Sequence, residues 1–241
     1  DSSLNKDMPS FPADIKVTMH VVSPVRNDGR ILREVEALQA AGLAVSIVDI
    51  EAQGTCPDEE ILQGGCRARH VFMSRDFAET RFTKHAALRA FFIFMRSVLC
   101  LIKIPTDIYH AHDTIALPAS AVAAFIRRKP LIFDAHELPL AELRVKQGWL
   151  RNFIIRLLSN VVRRCAGVIT VSAPIAEEIR RRYKARQVTL VRNTPVHQVV
   201  SRNNRLREYL GLDLETRIAL YQGNIQEDRR PDMLVHAAKF L

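Results

Sequence analysis

Ile15-Lys-Val-Thr-Met-His-Val-Val22 is an apolar run rich in Val, and it gives way at Pro24 to Gly29 to a loop built from Pro, Asn, Asp and Gly. Beyond that loop Ile31, Val35, Leu38 and Ala41 recur at the spacing of one helix face until Gly42, and Ala44 to Ile50 is again apolar. A strand-length run, a helical period and a second strand-length run predict a βαβ unit. The alternation continues. Strands are predicted at about His70 to Met73, Asp107 to His112, Pro130 to Ala135, Gly167 to Val171 and Gln187 to Val191, with helices near 80–103, 115–128, 149–165 and 173–184 between them. Nearly continuous apolar strands separated by helices require a parallel sheet covered on both faces, so the fold class is α/β with a doubly wound, Rossmann-like sheet.

The chain of 241 residues is 48% hydrophobic and 25% charged, a balance that excludes disordered and fibrous classes. Residues 1–14 are polar and contain Pro, and are expected to be a disordered N-terminal segment that begins inside a longer product. Domain organisation is read as 15–200 for the first Rossmann-like domain, with a boundary after Asn193-Thr194-Pro195 and the polar run Ser201-Arg-Asn-Asn204. Residues 201–241 are read as a linker and the first strand (Arg217 to Gln222) and helix (from Pro231) of a second Rossmann-like domain that is cut short at Leu241. The stretch 51–69, with Gly54, Pro57, Gly64 and Gly65, reads as a surface loop. Four separated cysteines without a C-x-x-C pair speak against a disulfide framework or a structural zinc site and fit a reducing cytoplasm.

In an open parallel sheet, ligands bind beyond the carboxyl ends of the strands, where loops diverge and helix N-termini present unpaired N–H groups. The residues there are Val25 to Arg30 after the first strand, His110-Ala-His-Asp113 after the fourth and Asp134-Ala-His-Glu137 after the fifth. His110 and His112 face the same way if their strand persists. His110, His112, Asp113, His136 and Glu137 are competent zinc or iron ligands, but no H-E-x-x-H or C-x-x-C accompanies them and no metal is expected. The lone Gly29 is no G-x-G-x-x-G fingerprint, which excludes a nicotinamide enzyme and leaves either a turn residue or a backbone approach to a ligand.

Six segments, taken in order, resemble glycosyltransferase family 4 enzymes of the GT-B fold. They are Asp28-Gly-Arg-Ile-Leu-Arg-Glu-Val-Glu-Ala-Leu-Gln-Ala-Ala-Gly-Leu-Ala-Val45, Asp107-Ile-Tyr-His-Ala-His-Asp113, Ile132-Phe-Asp-Ala-His-Glu137, Val168-Ile-Thr-Val-Ser172, Val191-Arg-Asn193 and Leu220-Tyr-Gln-Gly223. The resemblance runs from Ile15 to the end and implies an acceptor-side N-terminal domain followed by the opening of a nucleotide-sugar domain. It implies transfer of a sugar, with retained anomeric configuration and no catalytic metal or other cofactor, from a nucleotide-sugar to a glycan or lipid-linked acceptor, as in polysaccharide biosynthesis. His112 matches the family histidine that faces the donor sugar, with Asp113 beside it. Gly29, Arg30, His136, Glu137 and Asn193 fall at substrate-side positions, and Arg229 or Arg230 at the diphosphate contact, where Pro231 departs from the usual Gly. A binding module without catalysis and a GT-B-like epimerase are the alternatives. The family's glutamate pair would lie past Leu241, so the fragment alone is expected to be inactive.

The net charge of +9 invites a nucleic-acid reading. Arg127-Arg-Lys129, Arg163-Arg164 and Arg180-Arg-Arg182 instead fall toward helix C-termini, where the helix dipole favours cations by about 0.3–1 kcal/mol each, so no nucleic-acid partner is expected. The segment 81–104 is apolar with Lys84, Arg89, Arg96 and Lys103 interspersed, too interrupted to span a membrane. It is either a core helix or a peripheral contact with an anionic membrane at the inner face of the plasma membrane.

Overall fold

The computed structural model describes residues 15–52, 56–62, 64–73, 86–139, 148–194, 197, 199, 201, 203–223 and 230–240. Residues 1–14, Arg229 and 81–85, to which expectations above attach, lie outside the described residues.

Strand β1 (Lys16–His20) leads through a short 3-10 turn at Val25–Asn27 into α1 (Gly29–Ala40). Asp28 starts this helix by accepting the N–H groups of Arg30 and Ile31, and Gly42, at φ +85, takes the left-handed conformation that lets the chain leave it. There follow β2 (Ala44–Ala52), β3 (Glu59–Ile61), β4 (Arg67–Met73), α2 (Ala86–Lys103), β5 (Ile108–His112), α3 (Asp113–Arg127), β6 (Leu131–Ala135), α4 (Trp149–Val162), β7 (Gly167–Thr170), α5 (Ala173–Tyr183) and β8 (Val188–Leu190). The stretch read as a plain surface loop thus contains β3, which pairs antiparallel with β4 through Glu60 opposite Ala68. Its three residues, between Pro57 and Gly64, are too few for a period-two pattern to register.

The eight strands form one sheet in the order β3-β4-β2-β1-β5-β6-β7-β8, parallel except for β3. The chain runs outward from β1 to β4, returns, and runs outward again from β5, so the order reverses between β1 and β5. That switch point is where two helix-connecting loops part and leave a crevice.

Side-chain alternation divides the core. Val17, Met19, Val45, Ile47 and Ala68 pack with Ile31 and Val35 of α1 on one face. On the other, Val48, Ile50, Tyr109, Phe133 and Val168 pack with Leu101 of α2, Leu117 of α3, Leu158 of α4 and Ile179 of α5. Tyr109 and Phe133 are fully buried, each contributing about 1.5–3 kcal/mol by leaving water, and the Tyr109 hydroxyl donates to the Leu101 carbonyl at 3.1 Å. The basic runs sit at helix ends: Arg127 closes α3, Arg180 to Arg182 form the last turn of α5, and Arg163 follows α4.

Contacts divide the chain after Thr194. The second unit, Pro195–Leu241, holds α6 (Arg205–Leu210), which ends at Gly211 with φ 64, and α7 (Pro231–Ala237). Residues 217–222, anticipated as a strand, carry no ladder pairing; among the described residues of this unit there is no other strand to supply one.

Candidate functional site

His110, His112 and Asp134 are alternate residues of β5 and β6 that project toward α1, while Ala111 and Phe133 point into the opposite core. One turn of α1 meets them. Arg30 Nη2 donates to both carboxylate oxygens of Asp134 at 2.8 and 2.6 Å, and Arg30 Nε donates to Glu34 Oε1 at 2.9 Å. His136, just past β6, places Nε2 at 3.1 Å from Asp134 and Nδ1 at 3.2 Å from Asp113. The His112 ring stands with its centroid 4.2 Å from that of His110 and 5.7 Å from that of His136. The three imidazoles therefore lie together and the two strand histidines share a face, but His110 and His112 are buried and of the three only His136 reaches solvent.

The geometry orders these groups by depth. Asp134 is fully buried and His112 is 1% exposed, whereas the side chains of His136 and Asp113 are 19% and 39% exposed and Glu137 is exposed. Solvent therefore reaches Asp113 and His136, with His112 beneath them. His112 Nδ1 lies 3.4 Å from Asp134 and 3.8 Å from Glu34, and neither of its ring nitrogens makes a hydrogen bond. Such buried polar atoms cost stability unless something satisfies them. Asp113 has φ 65, a left-handed conformation at the turn from β5 into α3 that an aspartate tolerates, and it directs the carboxylate onto His136.

Charge settles accordingly. Burial disfavours the Asp134 carboxylate, but the imidazoles of His112 and His136 outweigh it and hold the group well below the usual carboxylate range. Burial likewise disfavours charge on His136, yet hydrogen bonds to Asp113 and Asp134 raise its pKa to about 9, so it is an imidazolium at neutral pH. Burial above all pushes Glu34 up and His110 well below its ordinary value. Ligand atoms of Glu34, His110, His112 and Asp134 come within 4.8 Å of one another, a set able to hold a cation, but the Arg30 guanidinium already bonds both carboxylates and supplies positive charge there.

The remaining anticipated residues are placed as follows. Gly29 opens α1 without a left-handed φ, and a Cβ on it would meet only the Arg33 guanidinium at 3.4 Å, so no backbone constraint demands glycine. The helix N–H groups next to it are already taken by Asp28. Exposed Asn193 accepts from Arg33 Nη2 at 2.6 Å. Arg230, in the second unit, has φ 48 and pairs with Asp232 at 2.9 Å.

Four participants went unselected in the sequence: Asp28, Glu34, Asp134 and His20. Asp134 carried a signal, since a lone carboxylate between Phe133 and Ala135 in an apolar strand must find a partner. Glu34 stands one turn beyond Arg30. His20, at the end of β1, turns to the other face, where Nδ1 meets Ser120 Oγ at 2.9 Å and the Ala116 carbonyl at 3.1 Å; burial lowers its pKa to about 4.

A mostly parallel eight-stranded sheet is the arrangement of Rossmann-like GT-B glycosyltransferase structures, and the solved structures agree. Sucrose-phosphate synthase from Thermosynechococcus elongatus superimposes with a TM-score of 0.69 at 17% identity over 94% of this chain and 60% of its own. Arabidopsis thaliana UGT89C1 complexed with UDP does so with a TM-score of 0.52 at 10% identity, over 84% of this chain and 55% of its own. This chain thus spans 60% of the length of the synthase, and likeness at such identity concerns the fold. The profile of Glycosyltransferase Family 4 matches residues 30–195, and the chain belongs to that family. No curated protein matches it.

Proposed function

We propose that the protein is the acceptor-side part of a retaining hexosyltransferase that moves a sugar from a nucleotide-sugar to a glycan or lipid-linked acceptor. The observation that carries this reading is His112: a buried imidazole with two unsatisfied nitrogens at the carboxyl end of β5, in a member of this family. UGT89C1 was solved with UDP, which supports a nucleotide-sugar as the donor class.

Departure of a nucleoside diphosphate leaves negative charge on phosphate and positive character on the sugar ring. His112 is proposed to hydrogen-bond a donor-sugar hydroxyl with its orphan nitrogen. Asp113 and Glu137 offer carboxylates at the rim to acceptor hydroxyls, and His136, clamped between Asp113 and Asp134, keeps Asp113 oriented. Gly29, Arg30 and Asn193 are proposed for the substrate side, Arg30 by holding Asp134 in place. Arg229 and Arg230 are proposed for the diphosphate, Arg230 exchanging Asp232 for phosphate. Transfer is proposed to need no metal, because Arg30 and the His136 imidazolium supply positive charge.

The apolar segment supports a membrane-facing role. Ser97, Val98 and Leu101 of α2 pack inward, while Leu88, Phe91, Phe92, Met95 and Leu99 form an exposed stripe with exposed Arg96 and Lys103 nearby. Among the described residues no helix is long and apolar enough to cross a membrane. We propose a peripheral contact with anionic lipid on the cytoplasmic face, a compartment that suits four cysteines outside any disulfide.

The test uses the full-length protein. Screening nucleoside diphosphates should raise its melting temperature by mass action. A screen in which no nucleotide stabilises it, together with no donor hydrolysis, overturns the reading.

A further inference from the structure

A second polar cluster lies on the α1 side of the sheet, at the carboxyl ends of β2 and β4, and the glycosyl-transfer reading uses none of it. Asp49 and His70 are register partners on these parallel strands. Asp49 Oδ1 lies 2.5 Å from His70 Nδ1, and Asp49 Oδ2 accepts the Val25 N–H at 2.9 Å. Asp49 thus holds His70 through Nδ1, which leaves Nε2 as the ring nitrogen facing the rest of the cluster. The His70 side chain has no exposed surface, and Nε2 makes no hydrogen bond. Glu60 Oε1 lies 3.4 Å from Nε2.

Two further donors close on this histidine. A Glu51 carboxylate oxygen, the Cys56 Sγ and a ring nitrogen of His70 all lie within 4.8 Å of one another. Glu51 follows Asp49 by two residues on the same face of β2, and Cys56 lies on the connection toward β3. Asp49, Glu51 and Glu60 bring carboxylates to this histidine, and the Arg26 guanidinium donates to Glu60 at 2.7 Å from both Nε and Nη2. Arg26 also stands close enough to Cys56 and Glu51 to feel their charges. These donors surround a buried imidazole nitrogen that makes no hydrogen bond.

We propose that Glu51, Cys56 and His70 bind one zinc ion, with Glu60 or water completing four ligands and Asp49 acting as the carboxylate that orients the ligating imidazole. Thiolate, imidazole and carboxylate together are a donor set that selects zinc over the hard cations magnesium and calcium. The carboxylate–histidine–metal line is the arrangement that fixes tautomer and ring angle in such sites. Loading replaces the Cys56 thiol proton with the metal and releases that proton to solvent. The ion would tie the β2–β3 connection to β4 beside the loop that leads into α1. It would therefore act on structure and leave the His112 rim unaltered.

The probe is cobalt, added under reducing conditions to chelator-treated protein, because cobalt–thiolate bonding gives a near-ultraviolet charge-transfer band. One equivalent per chain with that band is expected, displaced by zinc. Cys56→Ser and His70→Gln should abolish the band, Cys100→Ser and His112→Ala should keep it, and Asp49→Asn should weaken binding by about 10- to 100-fold. X-ray absorption of the zinc-loaded wild type should count one sulfur at about 2.3 Å and needs no variant to fold. No binding, binding without sulfur, or a band that survives Cys56→Ser would each overturn the assignment; cobalt held without sulfur would move the metal to the Glu34–His110–His112–Asp134 set.

Discussion

Arg30 and Asp134, 104 positions apart in the chain, meet through both carboxylate oxygens of the aspartate, and the contact joins the first turn of α1 to the end of β6 across the sheet's switch point. Asp134 has no exposed side-chain surface and Arg30 only 9%, so each charge relies on the other. Removing one partner of a buried pair strands the other, at a cost of about 3–5 kcal/mol. Asp134→Ala should therefore lower the unfolding free energy read from urea titration by that much, while the double change Arg30→Met with Asp134→Leu should cost markedly less. Equal losses in the two variants would show that packing, not charge, holds this contact.

Stability should fall on both sides of neutrality for different histidines. The folded-state pKa of His136 is about 9 against 6.5, so its contribution is complete below pH 6.5 and is lost as pH rises through about 9. This amounts to something on the order of 3 kcal/mol. His20 runs the other way. At about 4 when folded, it leaves the unfolded chain to take up the proton first, so stability declines as pH falls from 6.5 toward 4. Thermal unfolding across pH should lose its alkaline slope in His136→Gln and part of its acid slope in His20→Gln.

His112→Ala in the full-length protein should reduce donor hydrolysis at least about tenfold, or ~1.4 kcal/mol of barrier, with the melting temperature little changed. Truncation also removes two unsatisfied buried nitrogens, which offsets part of the lost packing. Unchanged turnover would remove His112 from the mechanism.

Vesicle sedimentation tests the α2 stripe. Binding to vesicles rich in phosphatidylglycerol should exceed binding to pure phosphatidylcholine and should weaken with salt. Phe91→Ser with Phe92→Ser should reduce it severalfold without altering the fold, since both rings are 55% exposed. Equal binding by the variant would place the contact elsewhere.

Much of this molecule follows from local pattern. The alternation of apolar runs with helical periods predicted seven of the strands, and the position of His112, Asp113 and His136 at strand ends followed from the rule that loops carry the ligand. The antiparallel β3 escaped because Glu59-Glu-Ile61 has no period to read. The partition of α2 (Ala86–Lys103) into a buried and an exposed face escaped because apolar residues surround the helix on all sides, so its period does not say which side meets the sheet.

Along the chain, hydrophobic period and turn residues set the strands, the helices and their parallel arrangement, because these depend on neighbours a few residues away. Depth and pairing came from elsewhere. That His112 lies beneath His136, that Arg30 neutralises Asp134, and that His70 is held by Asp49 all depend on which strands adjoin and which face each side chain takes. Burial removes water from these groups, and only a partner brought from a distant part of the chain can then satisfy their charge.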